Sequence, residues 1–243
     1  MHRSAHRILK ADPVMAALIK AAGPCRINYR EQHAPFEALA RAIAHQQLHG
    51  VAAERILARF VALFEPPAFP SPHHVLGAHA NHLRGVGFSF AKVAALKDLA
   101  AKTLDGTVPA HVELESLSDL QIIERISSVR GIGRWTVEMM LMFRLKRPDV
   151  LPVDDFGVRN GFRLAYGLKR MPTPRALAAF GECWKPYRSI AAWYLWRAVD
   201  LARVNKLPPC AAPPRIVMVK AVKRSKQAKP AKGVRRAPPS KSK

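Results

Sequence analysis

The stretch that decides the fold runs from Ile126 to Arg159, reading ISSVRGIGRWTVEMMLMF and, after a short spacer, LPVDDFGVR. Gly131 and Gly133 interrupt two helical patterns, so the first part predicts two helices joined by a tight hairpin. Glycine lets the main chain approach a phosphate closely, and the following helix begins with the positive end of its dipole. Asp154 and Asp155 follow a proline at the predicted start of another helix. A DNA-binding hairpin followed by acids is typical of an enzyme that acts on DNA.

Helical patterns extend over the chain on both sides of this stretch. Phe36, Leu39 and Ile43 recur at helical spacing, and a polar segment at 45–50 divides residues 35–64 into two helices. Ser118 and Gln121 fit a capping box, so the helix–hairpin–helix is placed at 118–145. Further helices are predicted at 5–22, 73–79, 80–85, 90–104, 155–166, 174–183 and 188–204. No segment alternates like a strand, so the predicted fold class is all-α.

The C-terminal segment differs from the rest in composition. Residues 208–243 are rich in proline, alanine and lysine, which cannot build a core. We therefore predict one helical domain over 1–207 followed by a disordered basic tail. This tail carries 11 cations and no acid, while the remaining residues hold 29 lysines and arginines against 17 acids. A basic tail alone is typical of a solubilising extension, but a basic folded part favours a polyanionic partner such as nucleic acid.

Cysteine and histidine spacing argues against several kinds of site. Cys25, Cys183 and Cys210 lie far apart, which disfavours a disulfide framework, a zinc site or an iron–sulfur cluster. His45 and His49 are spaced like metal ligands but lack acidic or cysteine partners, so no metal site is predicted. The sequence contains neither a signal-peptide pattern nor an apolar run of membrane-spanning length. We expect a monomer without membrane contact, located in the cytoplasm and associated with the nucleoid if the source is bacterial.

Four segments in a fixed order make the chain recognisable. VRGIGRWTVEMMLMF, LPVDDFGVRNGF, FEALARAIAHQQL at 36–48 and WKPYRSIAAWYLWR at 184–197 resemble the helix–hairpin–helix DNA glycosylases. The resemblance is to their 3-methyladenine glycosylase II branch of alkylation repair, and it covers residues 34–204. It implies a two-lobed helical fold with the active-site cleft between the lobes. The implied partner is double-stranded DNA that contains damaged bases.

The resemblance places Asp155 on the catalytic aspartate of the family. Cleavage of an N-glycosidic bond builds positive charge on the deoxyribose, so a carboxylate there can stabilise the sugar cation or orient water. We expect Asp154 to cap the helix and Asp155 to act in catalysis; the alternative is that both only cap the helix. Trp135 stands where bifunctional relatives have a lysine that forms a Schiff base. The resemblance therefore implies a monofunctional hydrolase.

Aromatic residues are expected to line the base pocket. Trp135 and Trp196 match aromatic lining positions in the family, and electron-rich rings attract a cationic alkylated base. Met139 stands at a position that is aromatic in some relatives, which leaves the substrate range open. Trp184 and Trp193 are assigned to packing, because tryptophans at helical spacing are more often part of a core.

The target base must leave the duplex, and a side chain must fill the gap. The resemblance assigns this wedge to the turn that contains Gln47 and Leu48. We choose Gln47, with Leu48 as the alternative; the turn could also be a polar helix end without DNA contact. The hairpin residues assigned to the DNA backbone are Arg130, Gly131, Gly133 and Arg134. Arg130 replaces the proline usual in the family. Hairpin carbonyls of the family can hold a sodium or potassium ion, and no other cofactor is expected.

The residues and the resemblance together predict a monofunctional DNA glycosylase for alkylated purines such as 3-methyladenine and 7-methylguanine. It leaves an abasic site in the first step of base excision repair. One alternative is a glycosylase of the same fold that acts on deaminated or etheno bases. The other is a non-catalytic protein that binds damaged DNA. The basic tail is expected to add salt-sensitive affinity for DNA.

Overall fold

A computed structural model describes residues 2–29, 33–64 and 68–210. These residues form helices and loops without a β-strand, which confirms the all-α class. The helices are α1 (His2–Leu9), α2 (Pro13–Ala22), α3 (Pro35–His45), α4 (Gly50–Val61), α5 (Pro72–Gly77), α6 (Ala80–Gly85), α7 (Phe90–Leu104), α8 (His111–Ser116), α9 (Asp119–Ser127), α10 (Arg134–Phe143), α11 (Phe156–Ala165), α12 (Pro174–Phe180) and α13 (Arg188–Arg203), with a 3₁₀ turn at Gly181–Trp184. None of them is long and apolar enough to cross a membrane. The predicted disordered tail lies outside the described residues from position 211 onward, and its boundary stays a prediction.

Two predicted helices differ from the structure, and one helix was not predicted. The helix predicted at 174–183 ends at Phe180 and is followed by the 3₁₀ turn. The single helix predicted at 5–22 is divided into α1 and α2, because the Asp12 side chain accepts hydrogen bonds from the N–H groups of Val14 and Met15. Asp12 thereby caps a new helix, and Pro13 fits only in a helix's first turn. Helix α8 was not predicted, because the residue before it, Ala110, has no side-chain acceptor for a cap. Helix α5, which has the same length, follows Ser71, and this residue accepts a hydrogen bond from the His74 N–H.

The helices pack in two groups that share one continuous apolar core. In the first group, α3, α5 and α6 pack against α7, and α4 packs against α3. In the second, α2 and α11 pack against α13, with α1 and the 3₁₀ turn beside them. Trp184 is fully buried in this second group and donates its indole N–H to Asp12 at 3.1 Å, in agreement with its assignment to packing.

Helices α11 and α13 approach each other at Gly161. A Cβ atom at this position would lie 1.9 Å from the carbonyl oxygen of Leu195, so no larger residue fits without separating the two helices. The contact brings the start of α11, where Asp155 lies, beside Trp196 on α13. Helix α10 closes the same region, because Phe143 near its end stacks on the Trp196 ring, with ring centroids 5.9 Å apart.

Candidate active site

Asp155 lies at the centre of a hydrogen-bonded site built from three helices. Its Oδ1 accepts hydrogen bonds from the N–H of Val158 at 2.7 Å and from the indole Nε1 of Trp196 at 2.9 Å. Its Oδ2 accepts one from the indole Nε1 of Trp135 at 2.8 Å. The structure therefore brings together Asp155, Trp135 and Trp196, which the sequence assigned to the site from separate segments.

The division of roles predicted for the two acids is wrong in one respect. Asp155, and not Asp154, caps α11, because its backbone is extended, with φ −66° and ψ 124°, and its carboxylate faces the Val158 N–H. Asp154 is exposed. The cap and the candidate catalytic carboxylate are thus one group. An N-cap aspartate keeps free acceptor capacity after it binds the helix, so capping does not prevent a second role.

The hydrogen bonds divide the two oxygens of Asp155 unequally. Among the residues that the structure describes, Oδ1 accepts two hydrogen bonds and Oδ2 accepts one. A carboxylate oxygen offers about two lone-pair positions. Oδ2 therefore keeps a lone pair for a water molecule or for an electron-poor sugar carbon.

The two indoles differ in exposure. Trp196 is partly buried, and a Cβ atom at Gly157 would lie 2.8 Å from its Cδ1 atom, so this glycine makes room for the ring. Trp135 is 48% exposed, which leaves ring surface for stacking against a ligand. Met139 lies one turn after Trp135 on α10 and is partly buried.

A buried acid that the sequence reasoning missed lies on α10 between Trp135 and Met139. Glu138 is 2% exposed, and its Oε1 accepts a hydrogen bond from Arg134 Nε at 2.7 Å. Its Oε2 is buried and has no partner among the described residues. Burial raises the pKa of Glu138; Arg134 lowers it, and the neighbouring charges of Asp154 and Asp155 raise it again. The signal in the sequence was an acid inside the apolar run WTVEMMLMF, four residues after an arginine.

Arg134, which the resemblance assigned to the DNA backbone, is paired with this acid. Its side chain stays 52% exposed, so the guanidinium keeps N–H groups in contact with solvent. An arginine held in this way can still contact a phosphate, because the guanidinium has five N–H donors.

The hairpin between α9 and α10 takes the form predicted from its glycines. Gly131 has φ +76°, a left-handed conformation that glycine adopts readily, and the Ile132 N–H donates to the Val129 carbonyl at 3.0 Å. Gly133 is the N-cap of α10, whose first N–H groups have no carbonyl within the helix and can bind an anion. The capping box of Ser118 and Gln121 at the start of α9 is confirmed.

Two side chains of α7, Asp98 and Lys102, form hydrogen bonds with the backbone of the hairpin. The N–H of Arg130 donates a hydrogen bond to Asp98 Oδ2 at 2.7 Å. The proline that the resemblance leads us to expect at this position has no N–H and could not form this bond. The ammonium of Lys102 lies 3.1 Å from the same oxygen and donates to the carbonyl of Ser128. Hydrogen bonds from α7 thus hold the hairpin backbone at Ser128 and Arg130.

The turn assigned to the wedge lies next to the hairpin. The side-chain amide of Gln46 donates to the carbonyl of Gly131 at 2.8 Å. Gln47 and Leu48 are both exposed, and Gln47 has φ 57°, a left-handed conformation that is uncommon for a residue with a Cβ atom. Sequence reasoning missed Gln46 and also Lys92, whose ammonium donates a hydrogen bond to the Gln46 carbonyl.

The histidines of this region form no metal centre in the part of the chain that the structure describes. His45 lies 2.9 Å from Glu54, with which it forms a hydrogen bond. No group of three His, Cys, Asp or Glu side chains among the described residues is placed to hold a metal ion.

Residues 40–186, which include the hairpin and Asp155, match the HhH-GPD superfamily base excision DNA repair proteins. The chain belongs to this superfamily. It is 42% identical over 190 residues to DNA-3-methyladenine glycosylase 1 of Schizosaccharomyces pombe, covering 78% of this chain and 83% of that protein. The resemblance drawn from the four sequence segments is thereby confirmed.

Solved structures of superfamily members share the fold of this chain. One is the 3-methyladenine DNA glycosylase of Schizosaccharomyces pombe in complex with abasic DNA, with a TM-score of 0.71 and 40% identity. The match covers 82% of this chain and 98% of that one. Another is a DNA-3-methyladenine glycosidase from Bacillus halodurans, with a TM-score of 0.73 and 30% identity over 81% of this chain and 89% of that one.

Proposed function

We propose that this superfamily member is a monofunctional DNA glycosylase that hydrolyses the N-glycosidic bond of alkylated purines in duplex DNA. The observation that carries the proposal is the Asp155 carboxylate, held by the indole N–H groups of Trp135 and Trp196 with a lone pair of Oδ2 free. The Schizosaccharomyces pombe relative, at 42% identity, is named a DNA-3-methyladenine glycosylase, and its solved structure is bound to abasic DNA. The Bacillus halodurans relative, at 30% identity, is named a DNA-3-methyladenine glycosidase. These names support the substrate class and the product.

The arrangement of the site supports a hydrolytic mechanism. A flipped purine stacks against Trp135 and Trp196, and a cationic base gains about 1–2 kcal/mol from such contacts when it is desolvated. The C1′–N bond breaks with its electron pair leaving on the base, and Asp155 stabilises the positive charge on the sugar. Water then bonds to C1′ and gives its proton to Asp155 or to solvent. Trp135 has no amine, so no covalent imine forms at its position.

The negative charges around the site support a preference for cationic bases. Asp154 and Asp155 both act on the charge of Glu138, so the three acids are electrostatically coupled, with Arg134 as the neighbouring cation. Methylation at N3 of adenine or N7 of guanine makes the base cationic and weakens its glycosidic bond. An acidic, aromatic site therefore favours these bases over neutral ones.

The hairpin and the basic charge support binding to duplex DNA. In this proposal Gly131, Gly133 and the start of α10 bind a phosphate, Arg130 and Arg134 add positive charge, and Gln47 or Leu48 fills the gap left by the base. The monomeric state belongs to the same proposal, as does a cytoplasmic location with the nucleoid if the source is bacterial. A monovalent cation at the hairpin stays a prediction. Since the Ser128 carbonyl already accepts a hydrogen bond from Lys102, a cation at that oxygen would face a like charge.

Analysis of released bases tests the proposal. The full chain is incubated with methylated duplex DNA at moderate salt, and free 3-methyladenine and 7-methylguanine are separated by chromatography. We expect both bases in solution, intact abasic strands and no protein–DNA adduct after borohydride reduction. Release of deaminated or etheno bases alone would point to the same fold with another lesion. Tight binding to damaged DNA without release of any base would point to a binding protein.

A further inference from the structure

Lys92 forms hydrogen bonds at the C-terminal end of α3, next to the turn Gln46–Leu48, which we call the wedge turn. Its ammonium donates to the carbonyls of Ala44 at 2.7 Å and Gln46 at 2.8 Å. These carbonyls form the negative end of the α3 dipole, which attracts a cation. Lys92 itself lies in the first turn of α7, where that helix's own dipole disfavours a positive charge. Its position is therefore explained by the turn after α3 and not by α7.

The hydrogen bond from Lys92 to the Gln46 carbonyl restrains the backbone of Gln47, the residue of the turn with a left-handed conformation. The Gln46 carbonyl belongs to the peptide unit that precedes Gln47, so Lys92 fixes the orientation of the plane that defines φ of Gln47. That residue has φ 57°. A side chain with a Cβ atom adopts this conformation only where its surroundings hold it. The N–H of Leu48 closes the turn on the carbonyl of His45 at 3.3 Å.

The turn and the hairpin share one support. Gln46 bonds directly to the carbonyl of Gly131 on the hairpin at 2.8 Å. Helix α7 bonds the turn through Lys92 and, less than two turns further along, bonds the Arg130 N–H through Asp98 at 2.7 Å. A helix is stiff over this length, so the distance between the turn and the hairpin is set before DNA binds.

We propose that Lys92 is a positioning residue for base flipping. It holds the Gln46–Leu48 turn in its left-handed conformation at a fixed distance from the hairpin, so that the wedge enters the duplex beside the phosphate that the hairpin binds. The inference rests on the proposed function, because a wedge is needed only where a base is flipped. Without Lys92, Gln47 relaxes toward the common backbone conformations, and the wedge must be ordered anew at each encounter with DNA.

Lys97 provides a matched control on the same helix. Its ammonium donates to the carbonyls of Leu76 at 2.7 Å and Ala78, which end α5. Lys92→Met and Lys97→Met therefore each remove one charge and two hydrogen bonds to a helix end, but only the first frees the wedge turn. For 7-methylguanine opposite cytosine, we expect Lys92→Met to lower the single-turnover release rate about 5- to 30-fold. This factor is the ratio by which a residue with a Cβ atom prefers the common backbone conformations over the left-handed one. Lys97→Met should stay near the wild-type rate.

Changing the base opposite the lesion distinguishes a defect in positioning the wedge from a general loss of structure. Less pairing must be broken when 7-methylguanine stands opposite an abasic site. The loss caused by Lys92→Met should therefore shrink on that substrate, whereas a structural defect lowers both rates alike. Gln46→Met, which removes only the bond to the Gly131 carbonyl, should show the same dependence. If Lys92→Met does not fold, Lys92→Gln carries the test, because its shorter amide keeps an N–H donor but loses the charge and the reach to both carbonyls.

A fluorescence measurement of base unstacking tests the role of Lys92 separately from the proposed glycosylase activity. 2-Aminopurine placed next to the lesion brightens when the neighbouring base leaves the stack, whether or not the glycosidic bond breaks. A wild-type protein that unstacks the base without releasing it would refute the glycosylase function, and the Lys92→Met comparison would still be made by fluorescence. Equal losses in Lys92→Met and Lys97→Met, or the same loss on both substrates, would overturn the role of Lys92.

Discussion

The carboxylate site and the wedge turn are held in place by different means. Asp155 and Trp196 are set by helices α11 and α13, whose backbones are in contact at Gly161. The wedge turn is held by hydrogen bonds from the partly exposed side chains of Lys92 and Gln46. Packed backbones resist displacement by fractions of an ångström, whereas a single hydrogen bond contributes about 1 kcal/mol net. Changes in the first region should therefore affect folding and chemistry, and changes in the second should affect DNA distortion.

The contact between α11 and α13 gives the largest expected effect. In Gly161→Ala the new Cβ atom would lie 1.9 Å from the Leu195 carbonyl oxygen, so the helices must separate. We expect the free energy of unfolding, measured by urea denaturation, to fall by about 3 kcal/mol or more. Gly85→Ala is the control, because a Cβ atom there meets nothing within 4 Å. Similar stability of the two variants would show that backbone contact does not hold this region.

A smaller displacement tests the chemistry of the same region. In Gly157→Ala the Cβ atom would lie 2.8 Å from Trp196 Cδ1 and 3.1 Å from Asp155 Oδ1, so the indole and the carboxylate must shift. We expect the rate of 7-methylguanine release to fall about 100-fold, the usual cost of misplacing a catalytic group by an ångström. The melting temperature should fall less than in Gly161→Ala. An unchanged rate would mean that the position of Trp196 does not matter for catalysis.

The helix cap at Asp155 can be separated from the proposed role of this residue in catalysis. Asparagine caps a helix as well as aspartate does, whereas alanine provides no acceptor for the Val158 N–H. We expect Asp155→Ala to unfold about 1 kcal/mol more easily than Asp155→Asn in urea, with base release by both variants far slower than by the wild type. If the two variants are equally stable, the bond from Val158 does not contribute as a cap.

The smallest expected effect is the pH dependence of stability at Glu138. Burial raises the pKa of this acid in the folded protein, so its protonated form favours folding. This contribution is present at acid pH and is lost as the pH rises through the raised pKa, whereas a glutamine does not titrate. We therefore expect the melting temperature of Glu138→Gln, relative to wild type, to be higher at about pH 7.5 than at about pH 4.5. A difference that stays constant with pH would contradict the raised pKa.

Most helices could be predicted from the sequence, because periodic apolar positions and caps are local signals. Helix α6 has its predicted bounds, Ala80–Gly85, and α7 has its predicted bounds, Phe90–Leu104. Helix α8 has the same length as α6 but could not be predicted, because Ala110 before it provides no side-chain cap. The break before α2 depends on Asp12, which caps the helix through hydrogen bonds to the N–H groups of Val14 and Met15.

The resemblance pointed to the candidate site residues, but the hydrogen bonds between them could not be predicted. Asp155 was identified, yet its capping of α11 depends on a backbone angle that distinguishes it from Asp154. Gln46 is 85 residues from Gly131, and Lys92 is 46 residues from Gln46. A single sequence contains no signal for either pair. The one indication is Lys92 itself, because a lysine in the first turn of a helix is unfavourable unless it has a partner elsewhere.

The most direct test of the account is the single-turnover release of 7-methylguanine from duplex DNA by Asp155→Asn, with DNA affinity measured in parallel. Asparagine keeps the cap and the shape of the side chain but not the negative charge that stabilises the sugar cation. We predict a rate at least about 100-fold below wild type with DNA binding retained. Release by Asp155→Asn at a rate close to that of the wild type would contradict the catalytic role of the carboxylate.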